Sequence, residues 1–247
     1  PPVYDRSALG LSDEEKGHLM ATRSPHWRFR LDHEAIEWVD EIRGPQSIDA
    51  ASVSDPVLIR ADGQFLYSLC SVVDDAGMGV TNIVRGADHV TNTATQIQLF
   101  AALGGSAPTM AHHSLMTGAG GEKLSKRLGG LAIGELREAG VEARAVIAYL
   151  ARLGSSQPVE PVMSLQEAAE GFDISTFGLS PTKVSVDELK LLSTRVLHET
   201  SFEALDGRLD IDPGLWDAIR PNLDRLSDTA DWIAVANGPV EPVIAEE

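Results

Sequence analysis

Between Gly63 and Leu115 the hydrophobic period switches repeatedly, and this alternation narrows the folds open to the chain more than any other feature. The spacing predicts a helix over 66–76 and a short apolar strand over 80–85. Thr93-Ala94-Thr95-Gln96 is a capping-box candidate opening a helix that ends at Gly104-Gly105, and residues 109–115 read as strand again. Helix, strand, helix, strand at this spacing predicts a parallel sheet, because parallel neighbours are joined by helical crossovers and not by tight turns. Ligands bind such sheets beyond the carboxyl ends of the strands. Arg85-Gly86-Ala87-Asp88 follows the first strand. The glycine-rich run 117–121 and then Lys123-Leu124-Ser125-Lys126-Arg127 follow the second. Two polar segments are therefore expected on one rim of one sheet. Two lysines, a hydroxyl and an arginine on a movable loop suit closure over a polyphosphate and stabilisation of a departing phosphate group. Taken alone, such a short basic loop is usually only a solvated surface segment.

The flanks read differently. His26-Trp27-Arg28-Phe29-Arg30-Leu31 alternates basic and apolar, residues 35–42 alternate with a period near two, a turn falls at Arg43-Gly44-Pro45, and residues 56–60 form a further strand. Three strands imply a small antiparallel or mixed sheet. Beyond Arg127 the pattern is helical over 133–139, 142–153 and 187–199, with Leu189, Leu192, Val196 and Leu197 on one face of the last. Ser164…Glu167 and Ser185…Glu188 read as capping boxes. Pro213 suits the first turn of a helix towards residue 226, and Pro221 should break it. Residues 238–242 read as a linker, and an opening Pro1-Pro2 without a Met reads as the interior of a longer protein.

A net charge of −17 argues against a general nucleic-acid coat but leaves room for a local basic contact. The single cysteine, Cys70, excludes a disulfide framework and a cysteine-rich zinc site, and its apolar neighbours predict a buried core residue. No apolar run approaches the ~18 residues of a membrane span, so no membrane partner is expected and the expected compartment is cytoplasmic.

Several motifs occur in one order and at one spacing. They are Asp62-Gly63 with Tyr67, Val72-Val73-Asp74-Asp75, Met78-Gly79-Val80-Thr81, Val84-Arg85-Gly86-Ala87-Asp88-His89, Asn92-Thr93, Gln96-Ile97 and Lys123-Leu124-Ser125-Lys126-Arg127. Downstream stand Ala148-Tyr149-Leu150-Ala151-Arg152-Leu153-Gly154, Phe172-Asp173-Ile174 and Lys190-Leu191. Together they resemble bacterial glutamyl-tRNA synthetases, class I aminoacyl-tRNA synthetases, over nearly the whole chain. No one motif is decisive; the ordered set is specific. The resemblance implies an α/β fold: the second half of a Rossmann-type catalytic domain with a small mixed-sheet insertion remnant, followed by a mostly α-helical region. It implies a connective insertion over 1–62, catalytic fold over 63–127, a helical stem-contact domain over 128–205 and the start of an anticodon-binding domain over 206–247. The His-Ile-Gly-His-like signature is expected before Pro1 and much of the anticodon-binding region after Glu247, so the piece by itself is expected to be inactive. The implied activity is ATP-dependent ligation of L-glutamate to tRNA(Glu) through glutamyl-adenylate. ATP is a substrate arriving with Mg2+, and the implied state is a monomer. A tRNA-modifying relative that glutamylates a base lacks the helical segment after the basic loop. A non-catalytic synthetase-like module gripping tRNA or a partner stays open.

The resemblance also assigns residues. Arg85 pairs with the side-chain carboxylate of glutamate, a role its planar fork suits; the alternative is an ion pair with Asp88 or Asp75. Tyr67 lines the same pocket, and Ser71 stands where many members carry asparagine. Lys126 and Lys123 act on the ATP phosphates and on pyrophosphate departure, with Ser125 and Arg127 beside them. Leu115 and Met116 flank adenine, and Asp88 reaches the ribose or the tRNA end. Asp74-Asp75 is read as structural and not as a metal site, and His112 and His113 as facing opposite ways on a strand. Arg6, Arg23, Arg28 and Arg30 form a small basic cluster that either meets the acceptor stem or serves surface solubility.

Overall fold

The structure is a computed structural model that describes residues 3–118, 120–121, 132–205 and 207–239. Two compact units divide the chain, Pro1–Leu115 and Met116–Glu247. In the first, α1 (Asp13–Thr22) opens on a reciprocal Ser12–Glu15 capping box and buries none of its residues. The short β1 (Trp27–Arg28) comes next, followed by β2 (Ala35–Asp40), β3 (Gly44–Asp49) and β4 (Val57–Ile59). After these come α2 (Tyr67–Met78), β5 (Asn82–Gly86), α3 (Val90–Ala102) and β6 (Thr109–His113). The main sheet has the order β3-β2-β6-β5. β5 and β6 run parallel from Asn82↔Thr109 to Gly86↔His113, with α3 as the crossover, as the alternating period predicts. Met110, Ala111 and His112 of β6 are all buried, the mark of a central strand covered on both faces.

The three strands expected to form a sheet of their own are divided. Among the described residues β1 pairs only with β4, while β2 turns at Gly44 (φ +69) into β3 and carries that hairpin onto the main sheet. β3, Gly-Pro-Gln-Ser-Ile-Asp, carries too weak a strand pattern to be read in advance. Its Pro45 is tolerated because β3 is an edge. The capping-box candidate at Thr93 lies inside α3, not at its start. The helix begins at Val90, continuing a 3-10 turn over Ala87–His89, and Thr93 is fully buried. Cys70 is exposed, contrary to expectation. The buried face of α2 is centred on Val72, and a residue two positions away points about 200° round the helix. α2 closes at Gly79 (φ +68), whose neighbour Val80 donates back to Asp75 O at 2.9 Å. Val72, Leu99 and Phe100 make one core with Phe29 and Leu58, and Ile36, Ala50 and Ala94 another.

In the second unit β7 (Met116–Thr117) pairs with β8 (Thr182–Lys183) among the helices α4 (Ile133–Glu138), α5 (Ala143–Arg152), α6 (Leu165–Glu170), α7 (Val186–Glu199), α8 (Pro213–Ile219) and α9 (Thr229–Asn237). Ser164 and Ser185 cap as expected, accepting Glu167 N–H (3.0 Å) and Glu188 N–H (3.2 Å). The Glu167 carboxylate accepts instead from Met163 N–H, at 2.8 Å. Leu189, Leu192 and Val196 of α7 pack on Ala145, Ala148 and Tyr149 of α5. Asp212 caps α8 with Pro213 in its first turn, and the chain leaves the α-helix at Arg220-Pro221 for a 3-10 turn. Trp216 is fully buried among Leu197, Leu205, Ile219 and Leu223, and its Nε1 donates to Thr200 O at 3.0 Å. Replacing Trp216 with Ala should cost about 3–5 kcal/mol, from the cavity and the stranded carbonyl. Urea unfolding followed by circular dichroism measures this; a loss under about 1 kcal/mol would mean that α8 is not anchored as described.

Candidate functional site at the carboxyl rim of the parallel strands

Register pairs Arg85 of β5 with His112 of β6, so both side chains leave the same face of the sheet near its carboxyl rim. Arg85 Nε donates to His112 Nε2 at 3.1 Å, and Arg85 Nη2 donates to Thr93 Oγ1 at 2.6 Å. Thr93 Oγ1 also lies 3.0 Å from His112 Nε2. Behind the imidazole, His112 Nδ1 meets Asp40 Oδ2 at 2.5 Å, both side chains fully buried. Asp40 Oδ1 accepts three backbone N–H groups, from His112 (3.1 Å), Ile42 (3.1 Å) and Arg43 (3.0 Å). An arginine Nε is always a donor, so His112 Nε2 is the acceptor and Nδ1 carries the proton towards Asp40.

Burial works against charge on Asp40, but the hydrogen bonds from His112, Arg43 and Ile42 outweigh it and hold the carboxyl below its ordinary value. Burial pushes His112 down from its ordinary 6.5. Asp40 opposes that shift, while the positive charges of Arg85 and Arg43 reinforce it. The imidazole is therefore neutral at neutral pH. Among the described residues no carboxylate lies within 4.0 Å of the Arg85 guanidinium, so neither Asp88 nor Asp75 is its ion-pair partner.

The other expected residues fall as follows. Tyr67 is exposed and meets the His89 ring edge-on, with centroids 5.9 Å apart. Ser71, one turn further along α2, accepts from Gln96 Nε2 of α3 at 3.1 Å. Tyr67, Ser71 and Arg85 thus all connect to the first half of α3 and the turn before it, through His89, Gln96 and Thr93. Gln96 Oε1 and His89 Nδ1 are buried without a hydrogen-bond partner among the described residues, open for a polar ligand or water. Asp88 is exposed, and both it and Leu115 crowd Gly86: a Cβ there would meet Asp88 Oδ1 at 2.5 Å and Leu115 Cδ2 at 3.2 Å. Met116 is exposed at the start of the second unit. Lys123, Ser125, Lys126 and Arg127 lie outside the described residues. Among the described residues no group of three His, Cys, Asp or Glu could hold a metal ion.

Of the four basic residues near the amino end, two converge on Asp55. Arg6 grips the buried Asp55 carboxylate (2.7 and 2.8 Å) and Leu31 O. Arg28 donates to Asp55 O and stacks over Tyr4 at 4.4 Å. Arg23 and Arg30 are exposed. The alternation of His112 and His113 holds as read: His112 points to Arg85, and His113 Nδ1 bonds Ser114 O at 2.8 Å. Sequence reasoning gave no site role to Asp40, Thr93, Gln96 or His89. His89, Thr93 and Gln96 stood in the ordered motifs, and Asp40 at the end of a period-two strand.

The pH dependence of stability follows in sign. Below about 6.5 the unfolded chain binds a proton at His112 that the folded chain refuses until a lower pH, so stability falls as pH drops through that window. The stabilisation from Asp40 is present above 3.8 and is lost only at lower pH, as its carboxylate protonates in the folded state. The urea midpoint should be lower at about pH 5.5 than at about pH 7, and the difference should shrink in a His112→Gln variant. An unchanged difference would assign the effect to other groups.

A family model described as tRNA synthetases class I (E and Q), catalytic domain, matches residues 1–191. Glutamate–tRNA ligase 2 of Jannaschia sp. (strain CCS1) is 56% identical over 255 residues, covering 100% of this chain and 57% of that protein. The protein of the same name from Cereibacter sphaeroides (strain ATCC 17029 / ATH 2.4.9) is 54% identical over 254 residues, covering 100% and 58%. The chain thus spans a little over half the length of the curated relatives it matches. Among solved structures, glutamate-tRNA synthetase from Elizabethkingia anophelis has a TM-score of 0.73 at 25% identity, over 91% of this chain and 52% of that one. A glutamate tRNA ligase from Elizabethkingia meningosepticum CCUG26117, in complex with its amino acid, reaches 0.73 at 24% identity, over 91% and 51%, a likeness of fold. A match that begins at the first residue and runs through the parallel strands into α7 shows that the chain belongs to the class I tRNA synthetase (E and Q) catalytic-domain family.

Proposed function

We propose that the protein to which this chain belongs ligates L-glutamate to tRNA(Glu) at the expense of ATP. The observation that carries the reading is Arg85: a half-buried guanidinium at the carboxyl rim, held by a neutral imidazole and a hydroxyl, with no carboxylate of the described chain beside it. Such a group takes a carboxylate bidentately. A glutamine amide would turn N–H donors towards a donor-only guanidinium and lose the match.

In the proposed chemistry an α-carboxylate oxygen of glutamate attacks the α-phosphorus of ATP. The bond to the bridging oxygen breaks and pyrophosphate leaves, with Mg2+ accompanying ATP. A hydroxyl of the terminal tRNA adenosine then attacks the glutamyl carbonyl, and AMP departs. Arg85 binds the side-chain carboxylate, with Tyr67 and Ser71 beside it on α2. Lys126 and Lys123, with Ser125 and Arg127, meet the phosphates; Leu115 and Met116 flank adenine, and Asp88 approaches the ribose or the tRNA end. Of the basic residues near the amino end, Arg23 and Arg30 are the better placed for tRNA phosphates, because Arg6 and Arg28 are engaged at Asp55. Among the described residues no helix is long and apolar enough to cross a membrane. The proposed reading is of a cytoplasmic enzyme acting as a monomer, on the family likeness alone.

ATP–pyrophosphate exchange, measured on the longest natural chain containing this sequence with tRNA present, tests the reading. Exchange with glutamate and not glutamine is expected. Arg85→Lys should raise the KM for glutamate by about tenfold or more, because an ammonium cannot reproduce the fork, with the KM for ATP unchanged. Lys126→Ala should instead lower kcat by roughly a hundredfold. Absence of exchange with either amino acid would favour a non-catalytic tRNA- or partner-binding protein.

A further inference from the structure

We propose that Asp40 and His112 are positioning residues for Arg85, a two-residue support that fixes the guanidinium without neutralising it. The inference rests on the reading of Arg85 as the carboxylate ligand. A guanidinium on a long side chain needs an acceptor to hold its plane, and a carboxylate is the usual one. A carboxylate at that place would cancel the charge that an acidic ligand requires. Here the direct acceptors are both neutral: His112 Nε2 at 3.1 Å from Nε and Thr93 Oγ1 at 2.6 Å from Nη2. The negative charge sits one residue further back, on Asp40, where it sets the tautomer that leaves the Nε2 lone pair free. Asp40 is itself fixed by three backbone N–H groups, so the support starts from the main chain of β2, its turn and β6. The support uses the Nε–H and one N–H of Nη2. The second N–H of Nη2 and both of Nη1 are left for a ligand, enough for a bidentate carboxylate.

The groups that face His112 are Asp40 from β2, Arg43 from the following turn, Arg85 from β5 and the neutral Thr93 from α3. A protonated imidazole could not accept from Arg85. Acid that protonated the imidazole would therefore release the guanidinium.

Steady-state pyrophosphate exchange in the full-length protein tests the support, with the KM for glutamate and the KM for ATP read separately. In His112→Asn the amide reaches only the Nδ1 position and leaves Arg85 without its acceptor; the KM for glutamate should rise about tenfold and the KM for ATP by less than about twofold. In His112→Gln the Oε1 reaches the Nε2 position, and the KM for glutamate should stay within about threefold of the parent. Equal effects of Asn and Gln, or equal shifts in both KM values, would overturn the proposal, since a merely structural histidine would behave so. Arg85→Ala separates the two readings. If it leaves the KM for glutamate unchanged, the carboxylate-ligand reading fails and the support loses its purpose; if it raises the KM while His112→Asn does not, only the positioning role fails. The unmutated protein gives a test that does not depend on a variant folding. 15N-histidine NMR at about pH 7 should show His112 neutral with its proton on Nδ1, and an Nε2–H tautomer or a charged ring there would overturn the proposal.

Discussion

The buried Asp40 carboxylate is the constraint on which the first unit depends. β2 meets β6 in the ladder only at Asp40↔Met110, supported by Glu41 N–H to Met110 O. So slight a pairing would be a weak join between the hairpin and the parallel strands. The carboxylate reinforces it, because its oxygens collect the backbone N–H of His112 together with those of its own turn. A charge removed from water is tolerated only when its acceptor positions are filled, and hydrogen bonds to a charged group contribute about 1.5–3 kcal/mol each. The same four bonds that make Asp40 tolerable inside the protein join the hairpin to the sheet and set the state of the histidine next to Arg85. Architecture and site chemistry meet in one side chain.

The second unit solves its burial problem with caps and apolar packing, and its buried charge is paired. Glu142 is buried and receives both Nη groups of Arg208, at 2.7 and 2.8 Å, while its backbone N–H donates to Ser193 Oγ. Thr200 is another meeting point: its carbonyl accepts from Trp216 and Arg220, and its hydroxyl from Arg144. Arginines in both units are thus often spent inside the fold. In a chain of net charge −17 a nucleic-acid contact would rest on local basic groups and be sensitive to salt.

The α/β class, the crossover over α3, both serine caps after residue 160, the start of α8 and its end at Pro221 were all legible in the sequence. Each rests on an interaction within a few residues: an apolar period, a hydroxyl one turn from an N–H, a proline without a donor. The alternation of His112 and His113 was legible for the same reason. Other features escaped. β3 has no strand pattern of its own and is extended because β2 lies beside it. Thr93 resembles a cap, yet the 3-10 turn before it had already started the helix. Cys70 has apolar neighbours, but α2 turns it away from Val72.

The sequence by itself therefore determined the family, the helical crossover and the placement of Arg85 on a carboxyl rim, because these follow from order, spacing and local hydrogen bonding. Only the tertiary structure decided what holds Arg85. Asp40 and His112 are 72 residues apart, and Arg85 and His112 are 27 apart. No short-range pattern marks such pairs. They exist because a parallel register sets two strands side by side and a hairpin brings a third strand's carboxylate behind them, where burial turns an ordinary aspartate and histidine into a fixed acceptor for a guanidinium.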